Sequence, residues 1–321
     1  IGTGREGYQM TSLVTGGNGF IGHQLVRALA ERGEDVVVFD AQDRADLLDP
    51  LGDRVTFVQG DLAELSEVCT IVEHHRPQTI FHLGALISLA AEIAPQRAFR
   101  VNLGGTFNLL EAAKMFDVET LVYASTVAVY GAGVESPVAD DAPQFPASVY
   151  GATKVASERW AEQHHRLYGT NVRGIRLPTV TGPTRQAVGA GAFGTLIFKE
   201  AAFGRPYAIP VTPDTPVAIM YVPDAVRALI SLSEISNDRL TRRFYNVAGI
   251  APTVGDMVSA VRQVIPEAEL SYGLDERIQV IVENWPILSQ AGAEHDWGWH
   301  GGFTLDELVR DFVETARRSG S

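Results

Sequence analysis

Val14-Thr15-Gly16-Gly17-Asn18-Gly19-Phe20-Ile21-Gly22 is the stretch from which the rest of this chain can be read. Leu13 and Val14 are apolar and end a buried strand. Gly17, Gly19 and Gly22 satisfy G-x-G-x-x-G, and Gly16, Gly19 and Gly22 the variant G-x-x-G-x-x-G. Such glycines permit a tight turn and let backbone amides approach a ligand. The amphipathic pattern over residues 20–32 then presents a positive helix N-terminus to that ligand. A second strand, Val36-Val37-Val38-Phe39, ends in Asp40, 18 residues past Gly22. An acid at that spacing accepts hydrogen bonds from an adenosine ribose. Strand, turn, helix, strand and acid together predict a pyrophosphate cradle for a dinucleotide; glycine alone also serves ordinary turns.

Outward from this unit, strands are predicted near 12–15, 35–39, 55–59, 79–83, 120–125 and 172–176. Helical patterns lie between them, at 62–75, 95–116 and 150–168. This alternation predicts an α/β fold, a doubly wound parallel sheet of the Rossmann type. After Pro178 the pattern changes to a glycine-rich stretch at 189–194 and proline-rich segments around 206–216. The expected division is a leader at 1–9, a dinucleotide-binding domain at 10–177 and a smaller, interleaved substrate lobe at 178–321. A strand near 244–247 returns to the sheet, and two helical patterns follow residue 253. The glycines at 189–194 predict a loop able to close over substrate.

The chain has 321 residues, 45% hydrophobic and 20% charged, as in a soluble globular protein with a sizeable core. A formal net charge of −13 repels nucleic-acid phosphates and argues against that partner. No apolar run approaches membrane-spanning length, and there is no signal-peptide pattern. The single cysteine, Cys69, excludes an intramolecular disulfide, suits a reducing cytoplasm and reads as a small buried hydrophobe. His74-His75 and His164-His165 read as solvated helix faces, and no metal-ligand spacing occurs.

Chemistry enters with Tyr150-Gly151-Ala152-Thr153-Lys154. Tyrosine and lysine at i and i+4 share a helix face. A tyrosine pKa near ~10 is too high for an efficient base, and a nearby ammonium favours the phenolate. Tyr150 is therefore the candidate base for a substrate hydroxyl, and Lys154 can also hold a nicotinamide ribose. Ser125 and Thr126, ending the strand with Leu121-Val122-Tyr123, could donate to the substrate oxygen; by themselves they also suit a turn.

Taken in order, Thr15–Gly22, Gly60-Asp61-Leu62, His82-Leu83-Gly84-Ala85, Ala124-Ser125-Thr126 and Tyr150–Lys154 resemble the extended short-chain dehydrogenase/reductases, the NAD-dependent epimerase/dehydratase group. The resemblance implies NAD as cofactor. Gly16, Gly19, Phe20, Ile21 and Gly22 would hold the pyrophosphate, with Asp61 and Leu62 near the adenine and Leu83, Gly84 and Ala85 lining the cofactor. Thr126, four residues before Tyr130, matches the catalytic hydroxyl, and Ser125 is its neighbour. Asp40 favours NAD over NADP by repelling a 2′-phosphate.

The second half narrows the likeness to the short-chain type of L-threonine 3-dehydrogenases, through Pro213–Ala225, Glu283-Asn284-Trp285-Pro286 and Asp296-Trp297-Gly298-Trp299. Ser88 matches a serine near the substrate, and Trp285 implies a substrate contact. Arg176-Leu177-Pro178 resembles a segment near nicotinamide and substrate. Two departures bear on specificity. Gly189-Ala190-Gly191-Ala192-Phe193-Gly194 replaces a Gly-Gly-Gly-Thr-Thr-Asp-Tyr-Ala segment, so a threonine for the amino acid is missing; Thr179 follows Pro178 where the family has glycine. Losing one polar partner can redirect substrate choice.

The expected function is NAD-dependent oxidation of a secondary alcohol on a small polar substrate, a 3-hydroxy amino acid being one option, by a cytoplasmic homodimer. The rivals are a nucleotide-sugar epimerase or dehydratase that retains its NAD, and a cofactor-binding protein without catalysis. His82 is read as packing rather than as a base, Trp297 and Trp299 as core anchors, and Asp224 as a helix cap or hydrogen-bond acceptor.

Overall fold

The structure, a computed structural model, describes residues 10–186 and 189–319, so the leader expected at 1–9 lies outside the described residues. Six strands carry the first half: β1 (Thr11–Thr15), β2 (Asp35–Asp40), β3 (Val55–Gln59), β4 (Thr79–His82), β5 (Thr120–Thr126) and β6 (Val172–Leu177). With Phe244–Asn246 they form one seven-stranded sheet, ordered Phe244–Asn246, β6, β5, β4, β1, β2, β3. Leu13 pairs in parallel with Val37 on one side and Ile80 on the other. Leu13, Val14, Val38 and Ile80 are fully buried, as near-continuous apolar runs must be when helices cover both sheet faces. The order reverses between β1 and β4, and ligands of such sheets bind at the strand ends beside that switch. The glycine turn after β1 stands there.

The expected helices form with local differences. The first starts at Leu65 rather than 62. Residues 95–116 divide into Pro95–Ala98, a π-helical turn Phe99–Gly104 and an α-helix Gly105–Met115. Among the described residues four helices follow residue 253, not two: Val254–Val264, Glu276–Glu283, Ala291–Trp297 and Leu305–Ser319. The shorter two span only 8 and 7 residues, and their ends are marked by Asp275 and Gly298. In the glycine-rich stretch, Ala190–Ala192 is a 3₁₀ turn and Phe193 opens the helix Phe193–Ala202.

Residue contacts group into two compact units. The first comprises residues up to Ser125, Ser148–Gly174 and Leu229–Arg243; the second comprises Thr126–Ala147, Ile175–Ala228 and Phe244 onward. In the second unit, Trp297 and Trp299 are core residues with ring centroids 5.4 Å apart. Asp224 is a hydrogen-bond acceptor, as read from the sequence: it accepts the backbone N–H of Gly302 and Phe303, and it also pairs with Arg227.

Two expectations of the first unit are corrected. His164 is buried, not solvated: its ring nitrogens reach Thr170 Oγ1 (2.9 Å) and Glu111 Oε1 (3.1 Å), because the helix face carrying it packs inward. Cys69 is only half-buried, and burial together with Glu73 and Glu111 pushes its thiol pKa up.

Candidate active site

β1 ends at Thr15 and the chain turns through Gly16 at φ +70°. A side chain at Gly16 would lie 2.7 Å from the Gly84 backbone, and one at Gly22 would lie 2.1 Å from the Gly16 carbonyl oxygen. Only glycine permits this packing of turn, helix start and β4 loop. Gly19 caps the helix Phe20–Glu31 without a side-chain hydrogen bond, and its first turn holds no acidic residue. The orphan amides and helix dipole of that turn are therefore left to an anionic ligand.

The residues expected around this cradle come together within the first unit. Leu62 packs against Gly84, and its carbonyl accepts from Asn108 Nδ2 at 2.9 Å. Asp40 ends β2 with its carboxylate accepting the backbone N–H of Asn18 and of Gln42, each at 3.1 Å. Asp61 accepts from the Ala63 N–H at 2.9 Å. Gly84 donates its N–H to Thr15 Oγ1, which also meets His82 Nδ1 at 2.7 Å. An uncapped helix start, a glycine cradle that no side chain could share and a carboxylate at the end of β2 fit an adenine dinucleotide without a 2′-phosphate.

Asn102, in the π-helical turn, was not singled out from the sequence. It is buried and holds the Leu86 backbone from both sides, accepting from the Leu86 N–H (2.8 Å) and donating to the Leu86 carbonyl (2.9 Å). Its Nδ2 also reaches Thr153 Oγ1, on the helix that bears Tyr150. Asn102 thus fixes the end of the Leu83–Leu86 segment. No local sequence signal marks it, since the 95–116 pattern also carries Arg97, Arg100, Asn108, Glu111 and Lys114. Ser88 opens the helix Ser88–Ile93 just beyond.

Tyr150 and Lys154 lie on the helix Val149–Tyr168, whose N-cap Ser148 accepts the Gly151 N–H. Lys154 is 2% exposed and donates to the Ala124 carbonyl of β5 at 2.7 Å. Its Nζ stands 4.3 Å from the Tyr123 ring centroid and 5.8 Å from that of Tyr150. Burial pulls its pKa down to about 7, against the upward effect of Glu158. Glu158, one turn further on, is fully buried and accepts from Ser125 Oγ. Ser125 and Thr126 thus have different partners: the Ser125 hydroxyl is engaged by Glu158, whereas Thr126 Oγ1 accepts from the Ala128 N–H at 3.2 Å. His82 is buried between Thr15 and Thr106, and desolvation with nearby Lys154 holds its pKa well below the usual imidazole range. A neutral, doubly engaged imidazole is packing, not a base.

In the second unit, Pro178 and Thr179 follow β6, and Thr179–Thr181 is a short strand paired with Ile219–Tyr221. Arg176 is buried and donates to Tyr130 Oη (2.8 Å) and the Asp140 carbonyl (2.7 Å), which makes it a structural anchor of the residues around it. Trp285 is half-buried with its ring against Gly191. Among the described residues no cluster of His, Cys, Asp and Glu could hold a metal ion.

A glycine cradle after β1 in a doubly wound sheet, joined to a buried lysine beside a tyrosine, defines a nicotinamide-dinucleotide enzyme of the tyrosine–lysine type. The sequence profile of the NAD dependent epimerase/dehydratase family matches residues 12–248. The mitochondrial L-threonine 3-dehydrogenase of Bos taurus is 30% identical over 309 residues, 95% of this chain and 82% of its own length. The D-erythronate dehydrogenase of Cupriavidus necator is 32% identical over 323 residues, 96% of this chain and 99% of its own. The holo form of a GalE-like L-threonine dehydrogenase from Cupriavidus necator superposes with a TM-score of 0.87 at 31% identity, covering 95% of this chain and 99% of that one. UDP-glucose 4-epimerase from Thermotoga maritima superposes with a TM-score of 0.83 at 26% identity, covering 97% and 100%. The chain belongs to the NAD dependent epimerase/dehydratase family, and its cofactor is NAD.

Proposed function

We propose that this protein is a dehydrogenase that oxidises a secondary alcohol on a small polar substrate. The observation that carries the reading is Lys154: a buried ammonium on the Ala124 carbonyl, on the same helix face as Tyr150 and one turn away. Tyr150, as phenolate, takes the substrate hydroxyl proton. Lys154 favours that phenolate and holds the nicotinamide ribose. Thr126 orients the substrate oxygen, because Ser125 is engaged by Glu158. Gly16, Gly19, Phe20, Ile21 and Gly22 hold the pyrophosphate, Asp40 the adenosine ribose, and Asp61, Leu62, Leu83, Gly84, Ala85 and Pro178 line the cofactor. Bound NAD would supply the hydride acceptor for the carbinol carbon. Ser88, Thr179 and Trp285 contribute to the substrate site, and residues 178–321 form most of the substrate lobe.

Relatives named for L-threonine and for D-erythronate match at 30% and 32% identity, which supports net oxidation of a small hydroxy compound. The likeness to a UDP-glucose 4-epimerase supports the second reading, in which hydride is returned and no NADH leaves. NADH absorbance with NAD and a panel of small secondary alcohols separates the two. Accumulating NADH supports the dehydrogenase; tightly retained NAD with no NADH, and turnover of a nucleotide sugar, overturns it.

The protein acts as a cytoplasmic homodimer on this reading. Supporting the dimer, Phe107 and Trp160, on Gly105–Met115 and Val149–Tyr168, are exposed with ring centroids 5.6 Å apart, and Phe99 (60% exposed), Met115 and Leu167 are exposed on the same two helices and the π-helical turn. Among the described residues no helix is long and apolar enough to cross a membrane.

A further inference from the structure

Arg185 is the only charged residue between Leu177 and Phe198, the segment that contains Thr179 and the altered glycine-rich stretch. Its backbone N–H bonds the Gly182 carbonyl, which closes a turn and aims the side chain at the start of the helix Phe193–Ala202. There Nη1 donates to Thr195 Oγ1 at 3.3 Å, a long bond to a neutral hydroxyl. Thr195 is buried and shares its hydroxyl with buried Thr181, 2.9 Å away. Gly191 is flanked by the Arg185 guanidinium and by the Trp285 ring: a side chain there would meet Trp285 at 2.9 Å and Arg185 Nη2 at 3.9 Å. Among the described residues no carboxylate pairs with Arg185, although the chain carries 39 acidic residues against 26 basic ones. Burial also pulls the Arg185 pKa below its usual value. A partly desolvated guanidinium satisfied by one hydroxyl keeps most of its planar donor fork for a ligand, and that fork matches a carboxylate.

We propose that Arg185, with Gly191 and Trp285 beside it, is the anchor for a substrate carboxylate, and that the substrate is a hydroxy acid rather than a hydroxy amino acid. The second clause follows from charge. An amino acid brings an ammonium that needs an acceptor or a carboxylate when it leaves water. From Leu177 to Phe198 the chain supplies no acid, and the position offers a cation instead. Hydroxyls need only neutral partners. The inference rests on the dehydrogenase reading above for its kinetic readout, and names the substrate class of that site.

The test uses the full chain with NAD and three substrates: D-erythronate, L-threonine, and erythritol as a neutral polyol. D-erythronate is expected to exceed L-threonine in kcat/KM by at least about tenfold. Arg185→Gln is expected to raise KM for D-erythronate on the order of 30-fold, with a smaller change in kcat and unchanged NAD affinity, because a buried charge partner has been truncated. Arg185→Lys should recover part of that loss, and erythritol kinetics should not respond. An unchanged KM in Arg185→Gln, or a preference for L-threonine, overturns the proposal. If no alcohol yields NADH, the dehydrogenase reading fails on its own; calorimetry of D-erythronate binding to the NAD-loaded chain then decides the anchor. Binding that Arg185→Gln abolishes supports it, and no binding, or binding that survives the substitution, overturns it.

Discussion

Lys154 and Glu158 set the acid–base properties of the site at the scale of single residues. The groups facing Lys154 are Tyr123 from β5, His82 from β4, and Tyr150 and Glu158 from its own helix. Tyr123 stays protonated, since burial pushes its pKa far above the usual phenol value, and His82 stays neutral. Glu158 is thus the buried carboxylate whose charge raises the Lys154 pKa. On the mechanism proposed above, activity needs Tyr150 deprotonated, which improves as pH rises, and Lys154 protonated, which is lost as pH passes its pKa of about 7. Glu158→Gln removes the charge that raises that pKa, so the alkaline limb of kcat/KM should move to lower pH. A pH–rate profile identical to that of the unsubstituted chain would exclude this role. Tyr150→Phe should lower kcat by about 10²–10⁴-fold, the range for a lost general base, while NAD titration remains normal. Turnover close to normal would remove Tyr150 from the mechanism.

At the scale of elements, the cofactor loops are held by packing and by one amide. Asn102→Ala deletes three hydrogen bonds from a buried side chain and leaves the Leu86 backbone unpartnered. The cost is about 1–3 kcal/mol for each buried group left unsatisfied. The expected outcome is a lower Tm together with weaker NAD binding; a lower Tm with unchanged NAD affinity would confine Asn102 to stability. At the end of β2, Asp40→Asn removes the charge that repels a 2′-phosphate, so the NADP-to-NAD ratio of kcat/KM should rise. An unaltered ratio would mean that another group sets cofactor choice. The element level also shows how far periodicity carries. The helix expected at 150–168 runs Val149–Tyr168, and the structure shows why it holds those bounds: Ser148 caps its start and Gly169, in the left-handed region, ends it. The run at 95–116 reads as one continuous helix, yet a π-helical turn interrupts it. That turn places Asn102 against Leu86 and Thr153, contacts formed by residues distant in the chain and invisible to a local pattern.

At the scale of the whole molecule, an apolar face needs a cover. Phe107 and Trp160 are exposed with ring centroids 5.6 Å apart, and Phe99, Met115 and Leu167 are exposed on the same two helices and the π-helical turn before them. Phe107→Glu with Trp160→Glu is expected to convert a dimer into a monomer by light scattering; an unchanged mass would place the interface elsewhere or show the chain to be monomeric already.

The glycine turn, Asp40 and the Tyr150–Lys154 spacing could be read from sequence because each is a local requirement: a close backbone approach, a carboxylate at a strand end, one helix face. The doubly wound sheet followed from the alternation of apolar runs with helical periods. Only tertiary structure decided that Ser125 is held by Glu158, that Arg176 is buried among Tyr130 and Asp140, that His164 faces inward, and that Arg185 lies beside Gly191 with no carboxylate partner among the described residues. These depend on which side chains meet across long loops. Burial and pairing then set the energy of a charge far more than its identity does.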